Sequence, residues 1–150
     1  METAPLAPVP AADREAASGY TARWPVRQYE LDRFGHVNNA VYLNWIEQAA
    51  TDHAEAIGFG LNWVQAQDRA WVVRAHCITY RRPVIYGDVV LVTTIPERLI
   101  GARGWRRTEI HRESDAVLVA EAVTEWTWVR ASDGRPARLP TDLLRYFGLT

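Results

Sequence analysis

The sequence predicts an α+β domain in which one antiparallel sheet of about five strands wraps around a single long helix. Three observations predict it. One stretch carries a helical apolar stripe; several separate runs are rich in β-formers; and the order is strand, helix, then four strands.

The helix is the clearest element. From Ala40 to Ile57, the residues Tyr42, Trp45, Ile46, Ala49, Ala50, His53, Ala56 and Ile57 fall on one side at about 100° per residue. Asn44, Gln48, Thr51 and Glu55 fall on the other. Asn38 or Asn39 supplies the N-cap, and Gly58 and Gly60 stop the helix. So wide an apolar face needs a broad cover, which a sheet provides.

The first strand is read over Tyr20 to Glu30, with Pro25 marking a bulge or an edge. After the helix come Ala70 to Arg82, Val89 to Ile95, Trp105 to Glu113 and Ala116 to Arg130, punctuated by Pro83, by Gly87–Asp88 and by the turn Ser132–Asp133–Gly134. Thr141 to Phe147 reads as a short closing helix. A sheet covered by one helix leaves a face or an edge for a partner, which predicts a homo-oligomer.

The 150 residues fit one domain, read as a disordered Ala/Pro lead-in over 1–19 and a folded domain over 20–150. A chain of this size buries roughly 70% of its unfolded surface and needs no staples. The single cysteine, Cys77, lies in an apolar strand and reads as an inert buried thiol. The four histidines show no ligand-like spacing, so no metal is expected. With 17 basic and 18 acidic residues, neither nucleic acid nor an anionic membrane is an expected partner. The start lacks the pattern of a secretory signal, and a reducing cytoplasmic compartment is the expectation.

The stretch DRFGHVNNAVYLNWIEQA, Asp32 to Ala49, carries the chemistry. Its Asp32, Gly35, His36, Val37, Asn38, Asn39, Tyr42 and Glu47 resemble the motif of the 4-hydroxybenzoyl-CoA thioesterase-like branch of the hotdog superfamily. The segments RRPVIYGD (Arg81 to Asp88) and DGRPARLP (Asp133 to Pro140) look like the same branch. The resemblance covers about Tyr20 to Phe147. It implies a hotdog fold, hydrolysis of an acyl-CoA thioester without a cofactor, and a homodimer or homotetramer with active sites between subunits. It also implies catalysis by Asp32, with the backbone N–H of Asn39 polarising the thioester oxygen and Glu47 in support.

The residues themselves suit that chemistry. Thioester hydrolysis needs a group that attacks the carbonyl or activates water, and donors for the developing oxyanion. No Ser-centred elbow is present. An Asp ahead of a helix can attack directly, forming an anhydride, or serve as general base, the route favoured here. The first N–H groups of the helix lack internal partners and carry partial positive charge. Gly35 allows a tight loop beside the substrate, with His36, Asn38 and Tyr42 as further wall or positioning residues. Arg81 and Arg82, or Arg103, Arg106 and Arg107, are candidates for the coenzyme phosphates. As structural alternatives, Asp32 is a turn residue, Asn38 and Asn39 are caps, Glu47 is a flank charge, His53 is a buried hydrogen-bonded histidine and the arginines are surface charges.

Two other functions compete. A hotdog dehydratase would use a His and a helical acid, but its His-Phe-Pro-Gly loop is missing and Asp32 would have no task. A non-catalytic acyl-CoA-binding domain would not need Asp32 either. The acyl group, and whether coenzyme A or an acyl carrier protein leaves, are not legible.

Overall fold

The computed structural model describes residues 19–148. The expected lead-in therefore lies, except for Gly19, outside the described residues. Five strands form one antiparallel sheet: β1 (Tyr20–Pro25), β2 (Arg69–Tyr80), β3 (Val89–Ile100), β4 (Arg103–Arg112) and β5 (Leu118–Arg130). Their order across the sheet is β1-β3-β4-β5-β2. Helix α1 (Asn39–Ala56) is joined by two six-residue helices, α2 (Leu61–Ala66) and α3 (Thr141–Tyr146).

Helix α1 behaves as its period predicts. Tyr42, Trp45, Ile46, Ala49, Ala50 and His53 are buried, whereas Ala56 is exposed because the stripe drifts off the sheet in the last turn. Ala49, with no exposed surface, presents only a methyl group, so the backbone can pack closely. The helix lies against Val90, Val92, Ile110, Val119, Ala120 and Ala122, the inward positions of β3, β4 and β5. Burying one side chain such as Ile46 stabilises the fold by about 1.5–3 kcal/mol. Gly58, at φ +86°, takes the left-handed conformation that ends α1.

Several sequence expectations need correction. Gly60 does not stop α1; it precedes α2, whose six residues are too few to show a helical period. The first strand ends at Pro25, and Gln28–Glu30 form a 3-10 turn. Strand β3 runs past Ile95 through Pro96. Strand β1 pairs only with Val89 to Thr94, so the rest of β3 has one free edge, and the ladder with β4 bulges between Pro96 and Arg98. A residue without an N–H is tolerated there. Cys77 is exposed rather than buried, because β2 is an outer strand. No helix among the described residues is long and apolar enough to cross a membrane.

His53 is a buried histidine of the core. Its ring stacks on Tyr20, meets Phe147 edge-on, and holds Nδ1 3.0 Å from a guanidinium nitrogen of Arg106. Burial, with the Arg106 charge adding repulsion, pushes its pKa down from 6.5 to about 4. The unfolded chain therefore binds a proton that the folded chain refuses. Stability from this site is complete above pH 6.5 and declines as pH falls toward 4. Urea unfolding of wild type at pH 7 and pH 5 should show this loss. His53→Gln, which keeps an acceptor for Arg106, should lose less over the same interval; equal losses would exclude His53 as the source.

Candidate active site

The loop between the 3-10 turn and α1 is built by its own backbone. Asp32 N–H donates to the His36 carbonyl at 2.7 Å, and Gly35 N–H to the Asp32 carbonyl at 3.1 Å. Leu31 and Val37 pair as an antiparallel bridge on either side. So tight a reversal requires φ +81° at Gly35, a conformation that a side chain disfavours. Inside the loop, Asp32 Oδ1 accepts from the N–H groups of Phe34 at 2.8 Å and His36 at 3.1 Å. One carboxylate oxygen is thereby fixed, while no donor among the described residues engages Oδ2.

Two long-range contacts fix the helix start, one to this loop and one to the sheet. Glu30 is buried and accepts from the Trp45 indole N–H at 2.8 Å and from Arg27 N–H at 2.7 Å. A hydrogen bond to a carboxylate of this kind contributes about 1.5–3 kcal/mol. The Asn38 N–H in turn donates to the Glu30 carbonyl at 2.8 Å. From the sheet, the Tyr80 hydroxyl donates to the Asn39 carbonyl at 2.8 Å. Glu30 and Tyr80 escape sequence reasoning, since nothing in the local pattern around them announces partners 15 and 41 positions away.

The helix start then falls into place. Asn38 is the N-cap: its side chain accepts from Ala40 N–H at 3.0 Å, and its carbonyl from Val41 N–H at 2.9 Å. Among the described residues, the Asn39 N–H has no acceptor. It is the donor of the first turn left available, at the positive end of an 18-residue helix.

Asp32 and Asn39 line the same cavity, of about 260 Å³, together with His36, Tyr42, Arg81 and Arg82. Gly35 and Asn38 do not line it; they act through the loop turn and the helix cap. Burial, reinforced by neighbouring Tyr80, pushes the Tyr42 phenol up to about 12, so it stays protonated. The ring meets Tyr80 edge-on at 5.1 Å and serves as wall.

The other candidates separate. Glu47 does not line this cavity; it lies on the half-open flank of α1, 3.4 Å from His76 Nε2, whose Nδ1 faces the Thr124 hydroxyl at 2.9 Å. Arg81 pairs with Glu121 at 2.6 Å, leaving Arg82 as the more available cation at the rim. Arg103 pairs with Glu125, and Arg107 with Glu109. Arg106 is not a surface charge; it points under the helix to His53 and Thr94.

The chain as a whole is similar to a known protein class. A family model of the thioesterase-like superfamily matches residues 26–147. The chain belongs to the thioesterase-like superfamily, and its chemistry is thioester hydrolysis. It is 37% identical to the long-chain acyl-CoA thioesterase FadM of Escherichia coli over 118 residues, 79% of this chain and 89% of FadM. It is 30% identical to the chloroplastic acyl-acyl carrier protein thioesterase ATL2 of Arabidopsis thaliana, covering 82% of this chain and 65% of that longer one. A thioesterase from Thermus thermophilus, solved with coenzyme A and Zn, superposes with a TM-score of 0.73 at 26% identity, over 85% of this chain and 91% of that one. The five-stranded sheet around one long helix is thus a hotdog fold.

Proposed function

We propose that this thioesterase hydrolyses acyl-CoA thioesters at the Asp32 cavity, with Asp32 as general base and the Asn39 N–H as oxyanion donor. The observation that carries the reading is the pairing of these two groups in one cavity, each with its functional atom unengaged by the described residues. With Oδ1 held by two N–H groups, Oδ2 is oriented to take a proton from water. Water activated there attacks the carbonyl carbon; the oxygen gains charge against Asn39 N–H and the start of α1; collapse of the adduct expels the thiolate. Arg82 is the nearest fit for a coenzyme phosphate. The kinship with FadM favours coenzyme A as the leaving thiol; the kinship with ATL2 makes an acyl carrier protein the second reading.

The enzyme acts as a homodimer joined through β2. This outer strand runs 12 residues with one side of its ladder unpaired, and it exposes Val72 (49%), Tyr80 (44%) and Cys77. A long apolar edge demands a cover. An antiparallel second copy would satisfy it and bring the start of the partner's strand to the Tyr80–Pro83 end, where the cavity opens.

Three outcomes test this. In Asp32→Asn, thiol release from acyl-CoA substrates should fall about 10²-fold or more with the fold intact; undiminished release would remove Asp32 from the chemistry. Asn39→Pro deletes the N–H at a helix position where proline is favoured, so stability should hold while kcat drops about 10²–10³-fold. Asn39→Ala is the control and should retain activity. Sedimentation should show a dimer that the double variant Val72→Lys/Cys77→Lys dissociates with loss of activity; a fully active wild-type monomer would end the interface proposal.

A further inference from the structure

A second, larger cavity of about 490 Å³ lies at the other end of α1. Thr51 on its wall is 12 residues beyond Asn39, about 18 Å along the helix axis. The two cavities share no lining residue. The volume falls in the range of small-molecule sites, roughly 300–1,000 Å³. Its walls are aromatic and aliphatic, among them Ala54, Val64, Trp71, Trp105 and Trp126.

One cationic side chain enters this apolar space from below. Arg106 comes from β4, opposite Pro96 in the ladder, and passes under α1. It donates to His53 Nδ1 at 3.0 Å and to Thr94 Oγ1 at 3.2 Å. Both acceptors are neutral near pH 7, since burial holds His53 near 4. Burial also lowers Arg106, to about 10, which leaves it charged. A guanidinium has five N–H donors, and these two bonds use only part of that set. Of the other polar groups of the wall, the buried Trp126 indole N–H has no partner among the described residues, whereas Glu55 and Arg69 are engaged. Glu55 accepts from Leu61 N–H at 2.8 Å, and Arg69 donates to the carbonyls of Gln67 and Asp68.

We infer that this cavity binds a free fatty acid, its carboxylate against Arg106 and its alkyl tail along the tryptophan wall toward the mouth. A carboxylate accepts two parallel N–H bonds from a guanidinium, the strongest neutral-pH pairing open to it. A desolvated cation facing an apolar space gains from an anion and nothing from an alkane. Tail and head are therefore both specified, and the inference does not depend on Asp32 being catalytic.

The test is calorimetric titration of the full chain at about pH 7.5 with decanoate and with 1-decanol. Wild type should bind decanoate at least about tenfold more tightly than the alcohol. Arg106→Met should erase that preference while leaving decanol binding within about twofold, and Asp32→Asn should bind both ligands as wild type does. Ala54→Trp, which fills the cavity from the helix, should abolish binding of both. Equal affinity for acid and alcohol in wild type, or no saturable binding, would overturn the inference. So would decanoate binding that survives Ala54→Trp but is lost in Asp32→Asn, because the ligand would then occupy the other cavity. Should Arg106→Met fail to fold, the acid-to-alcohol ratio in wild type and the Ala54→Trp result decide the matter.

Discussion

The hydrogen bond from the Trp45 indole to the buried Glu30 carboxylate is the joint on which the site depends. It couples the loop that carries the candidate catalytic carboxylate to the second turn of the helix. Val37 N–H on the Val84 carbonyl and the bridge from His36 to Ile85 hold the far side of the same loop, so the indole bond fixes the side that faces the helix. Glu30 also accepts from Arg27 N–H, and its carbonyl accepts from Asn38 N–H. One residue thus reaches strand exit, loop and cap together. A buried carboxylate is costly unless fully engaged, and here the engagement is itself the positioning device.

The Tyr80 hydroxyl completes the arrangement from the sheet. By binding the Asn39 carbonyl, it sets the axial position of the first helical residue relative to β2. The Asn38 side chain and carbonyl satisfy the next two N–H groups, so the single donor left over is the one facing the cavity. In the proposed mechanism no side chain needs to supply the oxyanion donor; a helix end whose other donors are occupied would meet the requirement, with the cap and the donor on adjacent residues.

The helix presents two different environments at its ends. At the start, polar backbone groups and Asp32 surround a small opening. Toward the end, tryptophans surround a larger one with a buried guanidinium. Ala50 and Ala54 explain part of the second: small residues on the helix leave volume that the sheet side chains line but do not fill. Proteins ordinarily pack their interiors densely, so space of this size next to a charged group calls for an occupant.

Local pattern determined much of this protein. The period of Tyr42, Trp45, Ile46, Ala49 and His53 dictated α1, since a stripe of that spacing has one stable way to hide. The alternating β-rich runs dictated the sheet, and the Asp32-to-Asn39 spacing dictated the loop and its cap, because turn and capping bonds join residues close together in the chain. Tertiary structure alone decided the rest. Glu30 with Trp45, Tyr80 with Asn39, and Arg106 with His53 join residues 15, 41 and 53 positions apart. It also decided that Cys77 is exposed and Arg106 buried, which depends on strand order and not on strand composition. Local rules act through bonds that a short segment makes with itself. Which segment meets which is settled only when the helix and sheet bury their apolar faces together.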